Sequence, residues 1–211
     1  MKATDREEGT KSGLSRRDLL KGAIGVTAAA GLLGATRTEA SAQVKKWNFE
    51  TDVVVLGAGG GGLMAAVEAA TAGAKVVLLE SMPVIGGSSV ICGGGLTFAG
   101  TDFQQEHGYK DSNELLYKDL MHVGKNRNVP EMVKIYVNNQ LDTYKRLKQL
   151  GLKFLIITSA EGSVPRMHQM KPTEMIAILK KEADRLGVRT MMETAGSELV
   201  TGPTGRIIGV K

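Results

Sequence analysis

Short apolar runs alternate with helical patterns along residues 51–210, and this alternation predicts an α/β fold. Residues 51–56 end in four consecutive apolar residues, which is typical of a buried strand. Residues 63–72 are rich in Ala, Leu and Met and predict a helix. A second apolar run over residues 75–79 predicts another strand. Residues 51–80 are therefore expected to form a strand–helix–strand unit.

Further helical and strand patterns follow this unit. Helices are predicted over residues 112–123, 130–150 and 172–186, and strands over residues 153–157, 188–192, 197–201 and 206–210. Asp111 is the expected N-cap of the first of these helices, with Glu114 three residues later. The turn over residues 202–205 joins the last two strands into a β-hairpin. Residues 81–101 are expected to form a packed glycine-rich loop.

A glycine motif stands between the first predicted strand and its helix. Gly57, Gly59 and Gly62 have the spacing Gly-x-Gly-x-x-Gly. In a dinucleotide site, these glycines allow a tight turn, close approach of the backbone to the pyrophosphate, and packing of helix on strand. The helix start offers free N–H groups to phosphates. Glu80 ends the second strand, where an acid hydrogen-bonds the adenosine ribose. The motif predicts a dinucleotide site; the alternative is a glycine turn in an ordinary strand–helix–strand unit.

A second glycine-rich loop follows, where a nicotinamide dehydrogenase would continue into another helix and a third strand. The hydroxyls of Ser88 and Ser89 suit phosphate or ribityl oxygens. Gly93, Gly94 and Gly95 let backbone lie against a flat ring without side-chain interference. The loop therefore favours FAD over NAD. A nicotinamide-binding protein is the less favoured alternative.

The N-terminal segment, residues 1–42, has the order of parts of an export signal. The pair Arg16-Arg17 precedes an uncharged run over residues 22–36, and residues 40–42 (Ala-Ser-Ala) form a small-residue cleavage site. The segment resembles the twin-arginine (Tat) signal family, which implies export of a folded protein through the Tat machinery to the periplasm. The mature chain is expected to begin at Gln43. The alternatives are a disordered basic N-terminus and an uncleaved anchor.

Charge and side-chain chemistry exclude several other classes of protein. The formal net charge is +5, but the basic residues are scattered and no aromatic residues are interleaved with them. Nucleic acid is therefore not an expected partner. The single cysteine excludes an internal disulfide. His107, His122 and His168 show no metal-ligand spacing, and we predict no metal site.

Several separate motifs carry a resemblance to a known family. They are residues 57–62, Glu80, residues 86–89, 93–95, 99–101 and 111–112, Thr194 with Ala195, and residues 205–210. Together they resemble the FAD-binding domain of the fumarate reductase/succinate dehydrogenase flavoprotein superfamily. The likeness is to its soluble exported branch, which includes flavocytochrome-type fumarate reductases, urocanate reductases and 3-ketosteroid dehydrogenases. The resemblance implies a Rossmann-like FAD-binding domain over residues 43–211, with helical insertions and a C-terminal β-hairpin.

The resemblance also implies a role for each matched position. The implied cofactor-binding residues are Gly57, Ala58, Gly59, Gly61, Gly62, Glu80, Ser88, Ser89, Gly93, Gly94, Gly95 and Ala195. The first glycine turn would hold the pyrophosphate and Glu80 the ribose, while the backbone of Ala195 would meet the adenine. The last three glycines would line the flavin ring. Ser88 stands at about the place of the histidine that attaches flavin in membrane-bound members, so FAD is expected to be non-covalent.

The resemblance implies an incomplete domain, because the family's capping domain and catalytic acid lie beyond residue 211. The catalytic residues are accordingly unknown. Arg166 and His168 could bind a carboxylate, but a surface or domain-interface role is expected for them. The expected function is hydride transfer between flavin N5 and an activated C=C bond of a small substrate, with a cytochrome or quinol-linked electron donor. The alternative is a non-catalytic flavin-binding fragment or a truncated gene product that lacks the substrate domain.

Overall fold

The computed structural model describes residues 46–159 and 162–211. The predicted signal segment, residues 1–42, lies outside the described residues. The strands are β1 (Val53–Leu56), β2 (Val76–Leu79), β3 (Gly95–Thr97), β4 (Ile156–Thr158), β5 (Met167–Gln169), β6 (Arg189–Met191), β7 (Leu199–Thr201) and β8 (Ile207–Val210). The helices are α1 (Gly60–Thr71), α2 (Gly87–Val90), α3 (Asp102–Glu106), α4 (Asn113–Val123), α5 (Pro130–Gln149) and α6 (Pro172–Arg185). No helix within these described ranges is both long and apolar enough to cross a bilayer.

A parallel three-stranded sheet in the order β1-β2-β6 forms the first part of the fold. Helix α1 connects β1 to β2, as the strand–helix–strand pattern predicts, and packs with α6 on one face of the sheet. Leu63 of α1, Leu78 of β2 and Leu179 of α6 are almost completely buried. These side chains form the centre of the core because parallel strands bury their helix-covered face.

The opposite face of this sheet is partly open. Val54 and Leu56 of β1 are 37% and 50% exposed, so the prediction of a fully buried first strand is wrong. The antiparallel hairpin β7–β8 lies over part of this face together with Trp47, and a cavity of about 510 Å³ lies between them. Trp47 packs directly against the backbone of Gly209. The predicted C-terminal hairpin is confirmed.

A second sheet is antiparallel and in the order β3-β5-β4, and the sequence predicted only its β4 strand. Its core is aromatic: the rings of Phe98, Tyr144 and Phe154 surround the imidazole of His168, with ring centroids 5.5 Å from it. Helix α5 contributes Tyr144 to this cluster and follows its predicted bounds closely. The sheet and α5 together form the second part of the fold.

Three local predictions need correction. Residues 81–101 contain α2 and β3 rather than loop alone. The side chain that caps α4 belongs to Ser112, whose Oγ accepts from the N–H of Leu115, because Asp111 is occupied by an ion pair with Arg166. The strand expected over residues 153–157 is shifted to β4, where the ladder to β5 begins at Ile156.

Candidate functional site

The first glycine turn lies at the carboxyl end of β1. Gly57 has a φ of +93°, which a residue with a side chain rarely adopts, and its N–H donates to the carbonyl of Leu79 at 2.7 Å. A Cβ on Gly62 would overlap the carbonyl oxygen of Gly57. Glycine at these two positions is therefore required by the turn itself.

The start of α1 presents backbone donors beyond this turn. The N-cap is Gly59, which has no side chain to satisfy them, and the first intrahelical bond runs from the N–H of Leu63 to Gly59 at 2.9 Å. The N–H of Gly60 donates to Ser89 Oγ at 3.1 Å. A Cβ on Gly61 would meet nothing within 4 Å. The donors and open space here suit an anionic group such as a pyrophosphate.

Glu80 is buried at the end of β2, beside the same turn. Its Oε2 accepts from the N–H of Ala58 at 2.7 Å, and its Oε1 accepts from the N–H of Met82 at 2.8 Å. These two backbone hydrogen bonds lower the pKa of Glu80 below its ordinary value, against the opposing effect of burial. The carboxylate is thus an anion that shapes the turn and keeps lone pairs for further donors.

The second glycine-rich segment is joined directly to the first. The N–H of Gly86 donates to the carbonyl of Ala58 at 2.9 Å, and Gly59 forms a parallel bridge with Gly86. Helix α2 then places Ser89 against the start of α1, while Ser88 is exposed. Two segments predicted separately therefore form one wall of the site.

Gly93, Gly94 and Gly95 lie farther along, at the start of β3. Gly94 has a φ of +77°, and a Cβ there would overlap the carbonyl of Met170; a Cβ on Gly95 would lie 2.6 Å from the side chain of Met167. Packing against β5 and its following residue therefore explains both glycines. Gly93 is exposed and its Cβ would meet nothing, so packing does not explain it.

The position of Ala195 is set by a hydrogen bond of the preceding residue, Thr194. The N–H of Thr194 donates to the backbone carbonyl of Glu80 at 2.8 Å, which fixes this segment beside the end of β2. Ala195 itself is exposed and borders the cavity under the hairpin. The first turn, Glu80, Ser89 and Ala195 thus gather at the carboxyl edge of the parallel sheet. Gly95 begins the second sheet, and Gly93 and Gly94 directly precede it.

Helix α6 links the two glycine segments. A Cβ on Gly60 would lie 3.2 Å from the side chain of Met175, and a Cβ on Gly94 would lie 3.2 Å from Pro172. Both of these side chains belong to the first turns of α6. The glycine backbones are therefore packed closely against one common helix, which holds them at a fixed separation.

A buried polar network lies behind the second sheet, and sequence reasoning did not find it. The guanidinium of Arg166 donates to both oxygens of Asp111, at 2.7 and 2.8 Å, and also to Asp119 of α4. Gln104 donates to the same Asp111 at 2.9 Å. Arg166 is 3% exposed, so the expected surface role is wrong, while the domain-interface role stays a prediction.

His168 belongs to the same network and is completely buried. Its Nδ1 lies 2.7 Å from the backbone carbonyl of Arg166, which can only accept, so Nδ1 carries the proton. Nε2 then accepts from the hydroxyl of Thr101, the N-cap of α3, at 2.8 Å. Burial lowers the pKa of His168 below its ordinary value. The imidazole is therefore a neutral link inside the core.

Opposing effects set the charge of the acids in this network. Burial alone would raise the pKa of Asp119, but hydrogen bonds from Ser163 and Arg166 outweigh it and hold that pKa at about 2. Burial similarly disfavours the charged guanidinium of Arg166, and the two aspartates overcome this and raise its pKa. The ion pair between Arg166 and Asp119 is therefore charged at neutral pH.

The fold and the glycine wall define an α/β protein with a dinucleotide cradle at the carboxyl edge of a parallel sheet. Residues 52–211 match the FAD binding domain family, and the chain belongs to that family. Residues 13–34 match the Tat (twin-arginine translocation) pathway signal sequence. FAD is therefore the cofactor, and the Tat signal directs export to the periplasm or the extracytoplasmic side.

Two curated relatives and one solved structure show what the chain is similar to. It is 33% identical over 167 residues to a fumarate reductase (cytochrome) of Shewanella frigidimarina, covering 75% of this chain and 29% of the relative. It is 30% identical over 207 residues to an acrylate reductase flavoprotein subunit of Shewanella woodyi, covering 94% of this chain and 40% of that subunit. The chain superposes on the structure of a 3-ketosteroid-Δ4-(5α)-dehydrogenase from Rhodococcus jostii RHA1 with a TM-score of 0.74 at 26% identity. The match covers 81% of this chain and 43% of the dehydrogenase. The chain thus spans less than half the length of each of these proteins.

Proposed function

We propose that this chain is the FAD-carrying part of an exported reductase that acts on the activated C=C bond of a small molecule. The observation that carries the proposal is the convergence of the first glycine turn, Glu80 and Ser89 on the open start of α1. The names of the relatives support it, because a fumarate reductase and an acrylate reductase both act on C=C bonds beside a carboxylate. When bound, FAD supplies the hydride chemistry at its N5 atom.

The residues present fit this cofactor. The N–H groups at the start of α1 would bind the pyrophosphate, and Gly59 and Gly61 leave space for it. Glu80 would accept from the ribose hydroxyls through its unused lone pairs, and the backbone at Ala195 would contact the adenine. Ser88 and Ser89 would donate to phosphate or ribityl oxygens. Gly93 to Gly95 would lie along the flavin ring, with Gly93 contributing open backbone.

We propose further that FAD is held non-covalently. Ser88 stands at the position where membrane-bound relatives are expected to carry a linking histidine, and its exposed hydroxyl is not a residue type that attaches flavin. Acid precipitation of the purified protein tests this. FAD released into the supernatant supports the proposal, whereas flavin that precipitates with the polypeptide contradicts it.

The reaction itself is tested with a chemical electron donor. The purified protein, given reduced viologen, is expected to oxidise the viologen on addition of fumarate, acrylate or urocanate. A cytochrome or a quinol-linked protein is the proposed physiological donor. Flavin bound stoichiometrically without turnover of any of these substrates would instead favour the second candidate, a non-catalytic flavin-binding module.

A further inference from the structure

The Arg166 network has properties that neither cofactor contact nor stability explains. The side chain of Asp111 is completely buried and that of Arg166 is 4% exposed, so no soluble substrate reaches them. One guanidinium faces two carboxylates, one completely buried on Asp111 and one 16% exposed on Asp119. Buried ion pairs are often no more stabilising than apolar residues of similar volume, because desolvation offsets their attraction. Their best-attested use is to fix one arrangement among several.

The arrangement fixed here is the position of β5. The side chain of Arg166 ties the start of this strand to Asp111 and to Asp119 of α4. The backbone carbonyl of the same residue accepts from the N–H of Phe98, at 3.2 Å, and from Nδ1 of His168. Side chain and main chain of one residue therefore anchor the strand to α4 on one side and to the end of β3 on the other.

Strand β5 in turn sets the position of the second glycine segment. Gly95 pairs with Gln169, and Leu96 pairs with His168. The N–H of Met170 donates to the carbonyl of Gly94 at 2.9 Å. Gly95 packs on Met167 of β5, and Gly94 packs on Met170, the residue after the strand, so a shift of β5 displaces both glycines.

We infer that Arg166 is a positioning residue for the flavin end of the cofactor, acting through β5 on Gly94 and Gly95. This inference rests on the proposed function, in which those glycines lie along the flavin ring. The adenosine end is held by different residues, on the parallel sheet. Disturbing Arg166 therefore weakens binding of the flavin half and leaves binding of the adenosine half unchanged. General destabilisation would weaken both.

The experiment compares FAD with ADP, a probe of the adenosine half alone, by titration calorimetry. Arg166→Lys keeps the charge but loses the two-pronged contact with Asp111. The Kd for FAD is expected to rise about tenfold, as when a supporting residue behind a binding group is lost, with the Kd for ADP unchanged. Arg185→Lys, which alters a surface pair with Glu182, is the matched control and should change neither value. An equal rise in the Kd for FAD and in the Kd for ADP, or no change in either Kd, would overturn the inference.

A second variant and a second readout keep the inference testable if Arg166→Lys does not fold. Asp119→Asn retains one acceptor oxygen for the donors on Ser163 and Arg166 and removes one charge from the network. Without any cofactor, amide exchange over residues 93–97 should be faster in this variant, while exchange over residues 57–63 keeps its wild-type rate. Faster exchange over both segments, or a wild-type rate over residues 93–97, would contradict the positioning role. If wild-type protein binds FAD no more tightly than ADP, the flavin contact in the proposed function is contradicted. The exchange rates of the Asp119→Asn variant would still show whether the Arg166 network positions residues 93–97.

Discussion

The parallel sheet and the antiparallel sheet carry the two halves of the proposed site, and they are built by different means. At the parallel sheet, the turn after β1 is held by contacts among residues 57–62 and by Glu80, about 20 residues away. At the antiparallel sheet, the position of Gly94 depends on β5, and β5 depends on Arg166 and on acids some 50 residues earlier. The first half is thus shaped by local geometry and the second by a buried network.

This difference explains what the sequence could predict. Residues 51–80 contain a strand, a glycine turn, a helix and a terminal acid in register, so the fold and site of this part follow from local patterns. Strand β5 is only three residues long, contains His168 and Gln169, and shows no alternation of apolar and polar residues. Its pairing with β3 joins residues about 70 positions apart, and no local pattern records such a contact.

The sharpest test of local geometry is Gly62→Ala. The added Cβ would overlap the backbone carbonyl of Gly57, which cannot rotate away as a side chain could. We expect a loss of more than about 3 kcal/mol in the free energy of unfolding, at the upper end of overpacking effects. Urea unfolding measures it. A variant of wild-type stability would show that the turn is not as tight as described.

Above pH 5, we expect the free energy of unfolding to depend on pH mainly through His168, in the core of the antiparallel sheet. Because burial lowers the pKa of His168, the folded state resists protonation and loses stability as the pH falls below the ordinary value of 6.5. The loss should be at most about 1.4 kcal/mol per pH unit, the value for one proton. His168→Gln should abolish this slope. Unfolding curves between pH 5 and 7 measure it, and an unchanged slope in the variant would assign it to other groups.

Glu80 gives the parallel sheet a different acid response. Its pKa is lowered, so its contribution is complete above the ordinary value near 4.5 and is lost as the pH falls through the folded-state pKa. Glu80→Gln should lower stability at pH 7 by at least about 1.5 kcal/mol, because glutamine keeps one neutral acceptor oxygen and leaves one of the two backbone N–H groups facing an NH2 donor. The difference between wild type and variant should shrink below pH 4. A difference that stays constant with pH would exclude the carboxylate as its source.

Gly61→Ala should change the free energy of unfolding least among these variants, and it should raise that free energy rather than lower it. The position is helical with open space for a Cβ, so alanine should stabilise the free protein by about 0.4–1 kcal/mol. The same methyl group would stand where the pyrophosphate is proposed to approach, so FAD binding should weaken. Thermal unfolding with and without FAD separates the two effects. Unchanged FAD affinity would place the pyrophosphate elsewhere.

The most direct test of the two-part site is a comparison of amide exchange footprints with FAD and with ADP. Both ligands should protect residues 57–63 and 80–82, because both carry the adenosine half and its phosphates. Only FAD should protect residues 91–97, at the start of the antiparallel sheet. Identical footprints for the two ligands, or protection by FAD that omits residues 57–63, would contradict the account.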